Sequence, residues 1–273
     1  PNRDGHVGTG GCIFCSSQGS GDFAGSARLS IAEQIRQGKA DISSKRPVHS
    51  YIAYFQAFTN TYAPVETLRA LYMEAIADPE VKILSIATRP DCLGADVLAL
   101  LDEINHIKPV WVELGLQTIH PETSAYIRRG YELSVFEQAV KELRAIGITV
   151  IVHTILYLPG ETKDDMLDTI HYLNHMDIQG IKLQLLHVLT HTDLAADYEK
   201  HPFYIPDMQD YIQFLGTCIA QLNPEIVIHR LTGDGPKDLL IAPLWTSNKR
   251  TVLNQLHSHL KEQDIWQGKE YYV

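Results

Sequence analysis

Cysteine is scarce in this sequence: four residues, at positions 12, 15, 92 and 218, in a chain of 273. Such sparse, irregular use excludes the disulfide framework of a small secreted domain and favours a reducing compartment, the cytoplasm. Long hydrophobic runs are missing as well. No apolar stretch reaches the roughly 20 residues that span a bilayer, and no signal peptide is visible, so no membrane role is expected. An excess of positive charge is absent too, with 23 Lys and Arg against 33 Asp and Glu and a net charge of -10. That balance disfavours a broad, sequence-independent grip on phosphate backbones, because such binding rests on Lys and Arg releasing counterions, but it leaves room for a local basic patch. Finally, there is no linker rich in Pro, Gly or Ser, no low-complexity tract and no internal repeat beyond a βα period.

What is present is ordinary globular material, 45% hydrophobic and 21% charged. The length suits one large α/β domain or two small ones. Apolar runs rich in β-branched residues alternate with amphipathic stretches, the pattern of βα units that build a parallel sheet. Strands are predicted at 48–55, 81–87, 110–116, 148–156 and 181–189. Between them the spacing predicts helices over 64–77, with Pro64 at the first helical position, and over 94–107, then a helix opening at Ser134 and one from about Thr162 to Met176. Ser134 with Glu137 reads as a capping box and Gly147 as the stop. Beyond residue 204 the pattern loosens into a helix near 207–222, a strand at "EIVIHRL" and a terminal helix near 247–263. This divides the chain into a barrel-like part, 1–204, and a C-terminal α/β extension packed on it, 205–273.

In barrels wound this way the chemistry sits at the carboxyl ends of the strands. Polar residues do cluster there, in "QAFTNTYAP", "TRPDCL", "LQTIHPE", "LPGET" and "LTHTDLA". The other feature is "GGCIFCSSQGSG", with Cys12 and Cys15 in a glycine- and serine-rich loop. Taken alone, the pair fits half a zinc site with His6 nearby, a redox pair, or part of an iron–sulfur cluster. Cys92 and Cys218 are isolated and read as spare thiols.

The order of "PNRDGHVGTGGCIFCSSQGSGDF", "AYFQAFTNTYAP", "ATRPDCL", "VELGLQTIH", "RRGYE" and "YLPGET" along the chain resembles the radical S-adenosylmethionine (radical SAM) superfamily. More narrowly it resembles the bacterial subfamily related to the elongator catalytic subunit. The resemblance implies a partial (β/α)6 barrel of the TIM type, with a first strand upstream of Pro1. It also implies a 4Fe-4S cluster on three cysteines spaced C-x11-C-x2-C, whose first ligand falls immediately before Pro1 and whose second and third are Cys12 and Cys15. Three thiolates leave one iron open to the amino and carboxylate groups of S-adenosylmethionine. An electron passed to the sulfonium then yields methionine and a 5′-deoxyadenosyl radical that abstracts hydrogen, while the protein orients the cofactor.

The resemblance also distributes roles, each beside a plainer account. Phe14 packs near adenine, or is a loop hydrophobe. Gln56, Thr59 and Asn60 meet the methionyl amino group, although turn chemistry also explains Thr59 and Asn60. Thr88 closes the second strand in the same cofactor-facing row. Glu113 and Gln117 share one face of their strand by period-two geometry; Gln117 lies near the ribose, and Glu113, a buried acid, is otherwise a structural ion pair. Arg129 meets the methionyl carboxylate, or is a solvated helix-end charge. His153 points toward the ribose, or is a core histidine. The backbone near Leu186 borders adenine, with His187 or Thr192 toward substrate, and Gly160, Glu161, Tyr62, Asp91 and Arg230 are further positions at the open end. The implied partners are an electron donor such as flavodoxin or ferredoxin and a tRNA whose wobble uridine is modified. A small molecule or peptide is the alternative substrate. The rival from another class is a non-catalytic cluster-bearing or redox-sensing protein, and a cysteine preceding Pro1 separates the two.

Overall fold

The structure is a computed structural model that describes residues 1–19, 21–22, 24–44, 47–233 and 235–271. After an N-terminal loop the elements run α1 (Ile31–Ser43), β1 (Tyr51–Phe55), α2 (Val65–Ala77), β2 (Val81–Thr88), α3 (Ala95–Asn105), β3 (Val110–Gln117), α4 (Pro121–Tyr126), α5 (Leu133–Ala145), β4 (Thr149–Leu156) and α6 (Lys163–Asn174). Then follow β5 (Gly180–Leu185), β6 (Val188–Leu189), α7 (Asp193–Lys200), α8 (Met208–Gln221), β7 (Val227–Arg230), β8 (Leu240–Ala242) and α9 (Lys249–Glu262). Short 3-10 turns cover Pro90–Cys92 and Leu244–Ser247.

Six strands form one sheet in the order β1-β2-β3-β4-β5-β7, and β6 pairs antiparallel with β8. The pairings β1 with β2, β2 with β3 and β5 with β7 are parallel. This is the α/β half-barrel the βα period predicts. The central strands each turn a buried apolar row to one face, Val112 with Leu114, Val150 with Val152 and Leu183 with Leu185, while the alternate positions carry Glu113, His153, Lys182 and Gln184. The sixth strand of the sheet is β7, from the segment beyond residue 204. Its run of Val227 and Ile228 continues the ladder beside Gly180 and Ile181, and a register shift then sets Arg230 opposite Lys182.

Two compact units are distinguished. One comprises Pro1–Ser17, Leu116–Leu133 and Val152–Val273; the other Gln18–Gly115 and Ser134–Ile151. In the first, α8 buries Tyr211, Ile212, Phe214, Leu215, Cys218 and Ile219. In the second, α2 buries Leu68, Tyr72, Ala75 and Ile76, and α3 buries Val97, Leu100, Leu101 and Ile104.

Several local expectations shift. Helix α5 begins at Leu133, so Ser134 lies in its first turn and not at its cap. Pro64 caps α2 from outside. Full capping boxes occur instead at Ser30 with Glu33 and at Thr162 with Asp165. The run predicted as one strand over 181–189 divides into β5 and β6, with Leu186 and His187 between them.

Candidate functional site

The N-terminal loop is folded on itself before it reaches the cysteines. Val7 N–H donates to Pro1 O at 3.0 Å and Gly11 N–H to Asn2 O at 2.7 Å. Gly11 has φ +70, and a Cβ there would stand 2.9 Å from Arg3 Nε, so both conformation and space call for glycine. Cys12 and Cys15 then form a turn, with Cys15 N–H on Cys12 O at 3.2 Å. Ile13, between them, is the anchor: it is 5% exposed, its N–H donates to Ile127 O at 3.3 Å, and its carbonyl accepts from Leu194 N–H at 2.9 Å. Its side chain lies in a cluster with Ile127, Leu158, Leu186, Val188 and Leu194, against which Phe14 packs half-buried. Burying Ile13 therefore fixes the turn and leaves the two thiols half-buried and unbridged.

Among the described residues, the only trio of His, Cys, Asp or Glu ligand atoms close enough to share an ion is His120, Asp165 and Asp168, and it does not include the thiols. That trio already has structural work: His120 Nε2 bonds Asp165 O at 2.7 Å, and the Asp165 carboxylate caps α6. A redox pair normally opens a helix, yet no described residue between Cys15 and α1 is helical. Two thiols on a glycine-flanked turn, with Asn2 Nδ2 donating to Cys12 Sγ at 3.5 Å, fit two corners of an iron–sulfur cluster, whose sulfurs are tuned by such donors.

Strain marks the strand ends. Positive φ occurs at Phe58 (59°), Gln117 (65°), Tyr157 (63°) and His191 (62°), at or within three residues of the ends of β1, β3, β4 and β6. Each such non-glycine residue costs about 1–3 kcal/mol and persists only where its surroundings enforce it, commonly at functional sites.

In the unit that holds the cysteines, Arg129 is 3% exposed, so it is not a solvated charge. Its Nη1 donates to Leu116 O at 3.1 Å and Thr118 O at 2.6 Å, and Nε donates to Tyr131 O at 3.2 Å. Gln117 is half-buried between those first two carbonyls. His153 is half-buried on β4, with Nδ1 3.4 Å from Gln184 Nε2. Leu186 is buried, and its N–H donates to Leu156 O at 3.1 Å. The His187 ring is bracketed by two glycines, a Cβ on Gly233 falling 2.3 Å and one on Gly235 3.2 Å from ring carbons, and its Nε2 meets Thr246 Oγ1 at 3.0 Å. Thr192 is spent on capping α7 and on Leu189 O.

In the other unit, Glu113 is 4% exposed and accepts from Tyr54 Oη at 2.8 Å and Ser85 Oγ at 2.9 Å, hydroxyls from β1 and β2. Asn60 follows the turn account: Nδ2 donates to Phe55 O and Ala87 O, both at 2.9 Å, tying the ends of β1 and β2. Thr59 O accepts from Tyr62 N–H in the same turn. Thr88 is buried, its hydroxyl 2.5 Å from that of Thr61. Gln56 is half-buried directly after β1, and Tyr62 is exposed. Asp91 is engaged by Arg89 at 2.7 and 2.9 Å. Burial pushes Cys92 up to about 11 and, in the first unit, Cys218 up to about 12, so both are inert thiols.

Sequence reasoning placed Glu161 only loosely. Burial raises its pKa above the ordinary 4.5, against lowering by hydrogen bonds from Thr118 and Thr123, and its Oε1 is buried without a partner. A raised carboxyl pKa contributes stability that is full below the ordinary value and is lost as pH rises through the folded one. Glu161→Gln, which cannot ionise, is expected to gain in melting temperature relative to wild type as pH rises from about 4 to 7. Thermal unfolding across that range checks it, and a constant difference would contradict it.

The profile described as "Radical SAM superfamily" matches residues 5–173, and that described as "Radical_SAM C-terminal domain" matches 178–262. The chain is 44% identical over 269 residues to the uncharacterized protein YtqA of Bacillus subtilis, covering 98% of this chain and 84% of the relative. It is 36% identical over 267 residues to protein YhcC of Escherichia coli, covering 97% and 85%. Among solved structures, the archaeal Elp3 of Methanocaldococcus infernus shares the fold with a TM-score of 0.73 at 15% identity, over 87% of this chain and 59% of that one. No described helix is long and apolar enough to cross a membrane.

Proposed function

This chain belongs to the radical SAM superfamily, enzymes that use a 4Fe-4S cluster and S-adenosylmethionine, and from that premise we propose that it modifies the wobble uridine of a tRNA by hydrogen abstraction. The observation that carries the chemistry is the Cys12–Cys15 turn held by Ile13 through both its N–H and its carbonyl. Cys12 and Cys15 would hold two corners of the cluster. When bound, the cluster and S-adenosylmethionine supply reductive cleavage of the sulfonium, the source of hydrogen-abstracting power.

The chain's own residues bind and orient. Phe14, beside the anchored turn, and the backbone at Leu186 would border adenine, and Gln117 and His153 would lie toward the ribose. Gln56 and Thr59 would meet the methionyl amino group and Thr88 would be a further cofactor contact, while Asn60 and Glu113 keep β1, β2 and β3 in place. The cytoplasmic electron donor is a flavodoxin or ferredoxin. The tRNA assignment rests on the resemblance to the elongator catalytic subunit, and the net charge of -10 confines any RNA contact to a local patch.

The test is to delete the gene in its host and compare modified tRNA nucleosides by mass spectrometry. Loss or accumulation of a wobble-uridine derivative, restored by the wild-type gene and not by Cys15→Ala, is the expected result. An unchanged profile removes the tRNA assignment and turns attention to a small-molecule or peptide substrate.

A further inference from the structure

A glutamine has no intrinsic reason to take φ +65, because its Cβ crowds the backbone there. Gln117 does so as the last residue of β3, and Thr118 N–H donates to Leu116 O at 2.9 Å across it. A bond from residue i+2 back to residue i around a positive φ is the strained form of the γ-turn, which does not persist without support. The support comes from twelve residues further along the chain. Arg129 Nη1 donates to the carbonyls on both sides of Gln117, Leu116 O and Thr118 O. The guanidinium is itself fixed by Tyr131, whose carbonyl accepts from Nε and whose ring lies 4.7 Å from the guanidinium carbon.

Arg129 also ends a three-residue segment that carries the cysteine turn. Ile127 O accepts from Ile13 N–H, and the Arg128 carbonyl lies 3.9 Å from Cys12 Sγ. Arg128 itself has φ +56 and pairs with Asp193, and its guanidinium passes where a Cβ on Gly10 would stand, at 2.7 Å. Residues 127–129 thus hold the thiol turn on one side and the Gln117 turn on the other.

We infer that Arg129 is a positioning residue: it clamps the strained Gln117 turn and couples it to the Cys12–Cys15 loop, so that the Gln117 side chain is presented to the cofactor in fixed register with the thiols. The inference rests on the proposed cofactor role of Gln117, and the clamp itself does not. Both bonds across Gln117 leave from one nitrogen, Nη1, and the planar guanidinium holds that nitrogen in place through Nε on Tyr131 O and through the Tyr131 ring. Lysine keeps the charge but has no second nitrogen to anchor on Tyr131 and no planar group to lie against its ring, so its ammonium is not held over the turn.

The test uses anaerobically reconstituted full-length protein, wild type and Arg129→Lys, with S-adenosylhomocysteine as the binding probe and amide hydrogen exchange as the structural readout. In the absence of the probe, peptides covering residues 116–118 are expected to exchange at least about 10-fold faster in Arg129→Lys, with iron content unchanged, and the dissociation constant for the probe is expected to rise roughly 10–100-fold, the usual cost of losing an outer-shell support. Tyr131→Leu, which leaves Arg129 in place, gives a smaller change in the same direction and serves if Arg129→Lys does not fold. Unchanged exchange at 116–118 overturns the clamp, and weaker probe binding without faster exchange assigns Arg129 to direct contact instead. Faster exchange with unchanged binding overturns the positioning role. A wild type that does not bind the probe overturns the proposed cofactor reading and with it the positioning role, while the exchange comparison still decides the clamp.

Discussion

Replacing Cys12 or Cys15 by alanine is expected to abolish iron–sulfur absorbance after anaerobic reconstitution and to reduce S-adenosylmethionine cleavage well beyond the roughly 10–100-fold that losing an outer-shell partner costs. Both thiols sit on one turn, half-buried and unbridged, with Ile13 plugged into the cluster of Ile127, Leu158 and Leu194 between them. Removing either thiolate leaves the turn intact, because Ile13 and not the sulfur anchors it, so folding is expected to be unaffected. Asn2→Ala supplies the contrast. It removes only the amide donor 3.5 Å from Cys12 Sγ and is expected to lower cluster retention by about 10-fold at most. Iron analysis and the visible spectrum, beside thermal unfolding of the unreconstituted variants, separate ligand loss from misfolding. A Cys15→Ala variant with full iron content would contradict the assignment.

Glu113→Ala is expected to be the most destabilising single change near the strand ends. The carboxylate is 4% exposed within β3, flanked by the fully buried Val112 and Leu114. A carboxyl group in such a place persists only when hydrogen-bonded. Tyr54 and Ser85 supply hydroxyl donors at 2.8 and 2.9 Å, so one residue ties β1 and β2 to β3. Truncation removes two hydrogen bonds of about 0.5–1.5 kcal/mol each and leaves the buried Ser85 hydroxyl without this acceptor, which costs about 1–3 kcal/mol, so a loss of about 3 kcal/mol is expected. For a chain of this size that lowers the melting temperature by about 6–12 °C. Glu113→Gln keeps one acceptor oxygen and is expected to lose less. A melting temperature unchanged in Glu113→Ala would show that the network does not hold the strands.

Apolar runs carried the sheet because a buried row of β-branched and leucine residues writes itself into composition: β2, β3, β4 and β5 lie within a residue or two of where such runs place their starts. Helix α1 escaped notice for the opposite reason. It buries no residue, and its apolar positions Ile31, Ile35 and Ile42 are few and set among polar ones, so the pattern was weak beside the capping box at Ser30 and Glu33. At Ser134 and Glu137 the same motif misled, because Leu133 is already helical. A cap motif is local, and tertiary packing decides whether the backbone uses it.

The site divides along similar lines. Cys12 and Cys15 stood out by their spacing, which alone left zinc, redox and cluster chemistries open, and the resemblance singled out the cluster. The roles of Asn60 and Thr192 were half legible: their types suit turns and caps, and their side chains are in fact bonded to backbone. The burial of Arg129 was not legible. Two of its partners are carbonyls 13 and 11 residues back, and a sequence does not display which arginine turns inward. Nor does it display the positive φ of Gln117 and Tyr157, because the residue types give no hint of strain that tertiary contacts impose. Ile13 was hidden in plain view as a hydrophobe between two cysteines.

The central claim, that the anchored cysteine turn serves radical SAM chemistry, is tested most directly by quantifying 5′-deoxyadenosine. The anaerobically reconstituted full-length protein is incubated with S-adenosylmethionine and a strong reductant, and the products are measured by mass spectrometry. Formation of 5′-deoxyadenosine together with methionine, dependent on reductant and lost in Cys12→Ala and Cys15→Ala, is the result predicted. Absence of 5′-deoxyadenosine from protein that carries its full complement of iron would contradict it.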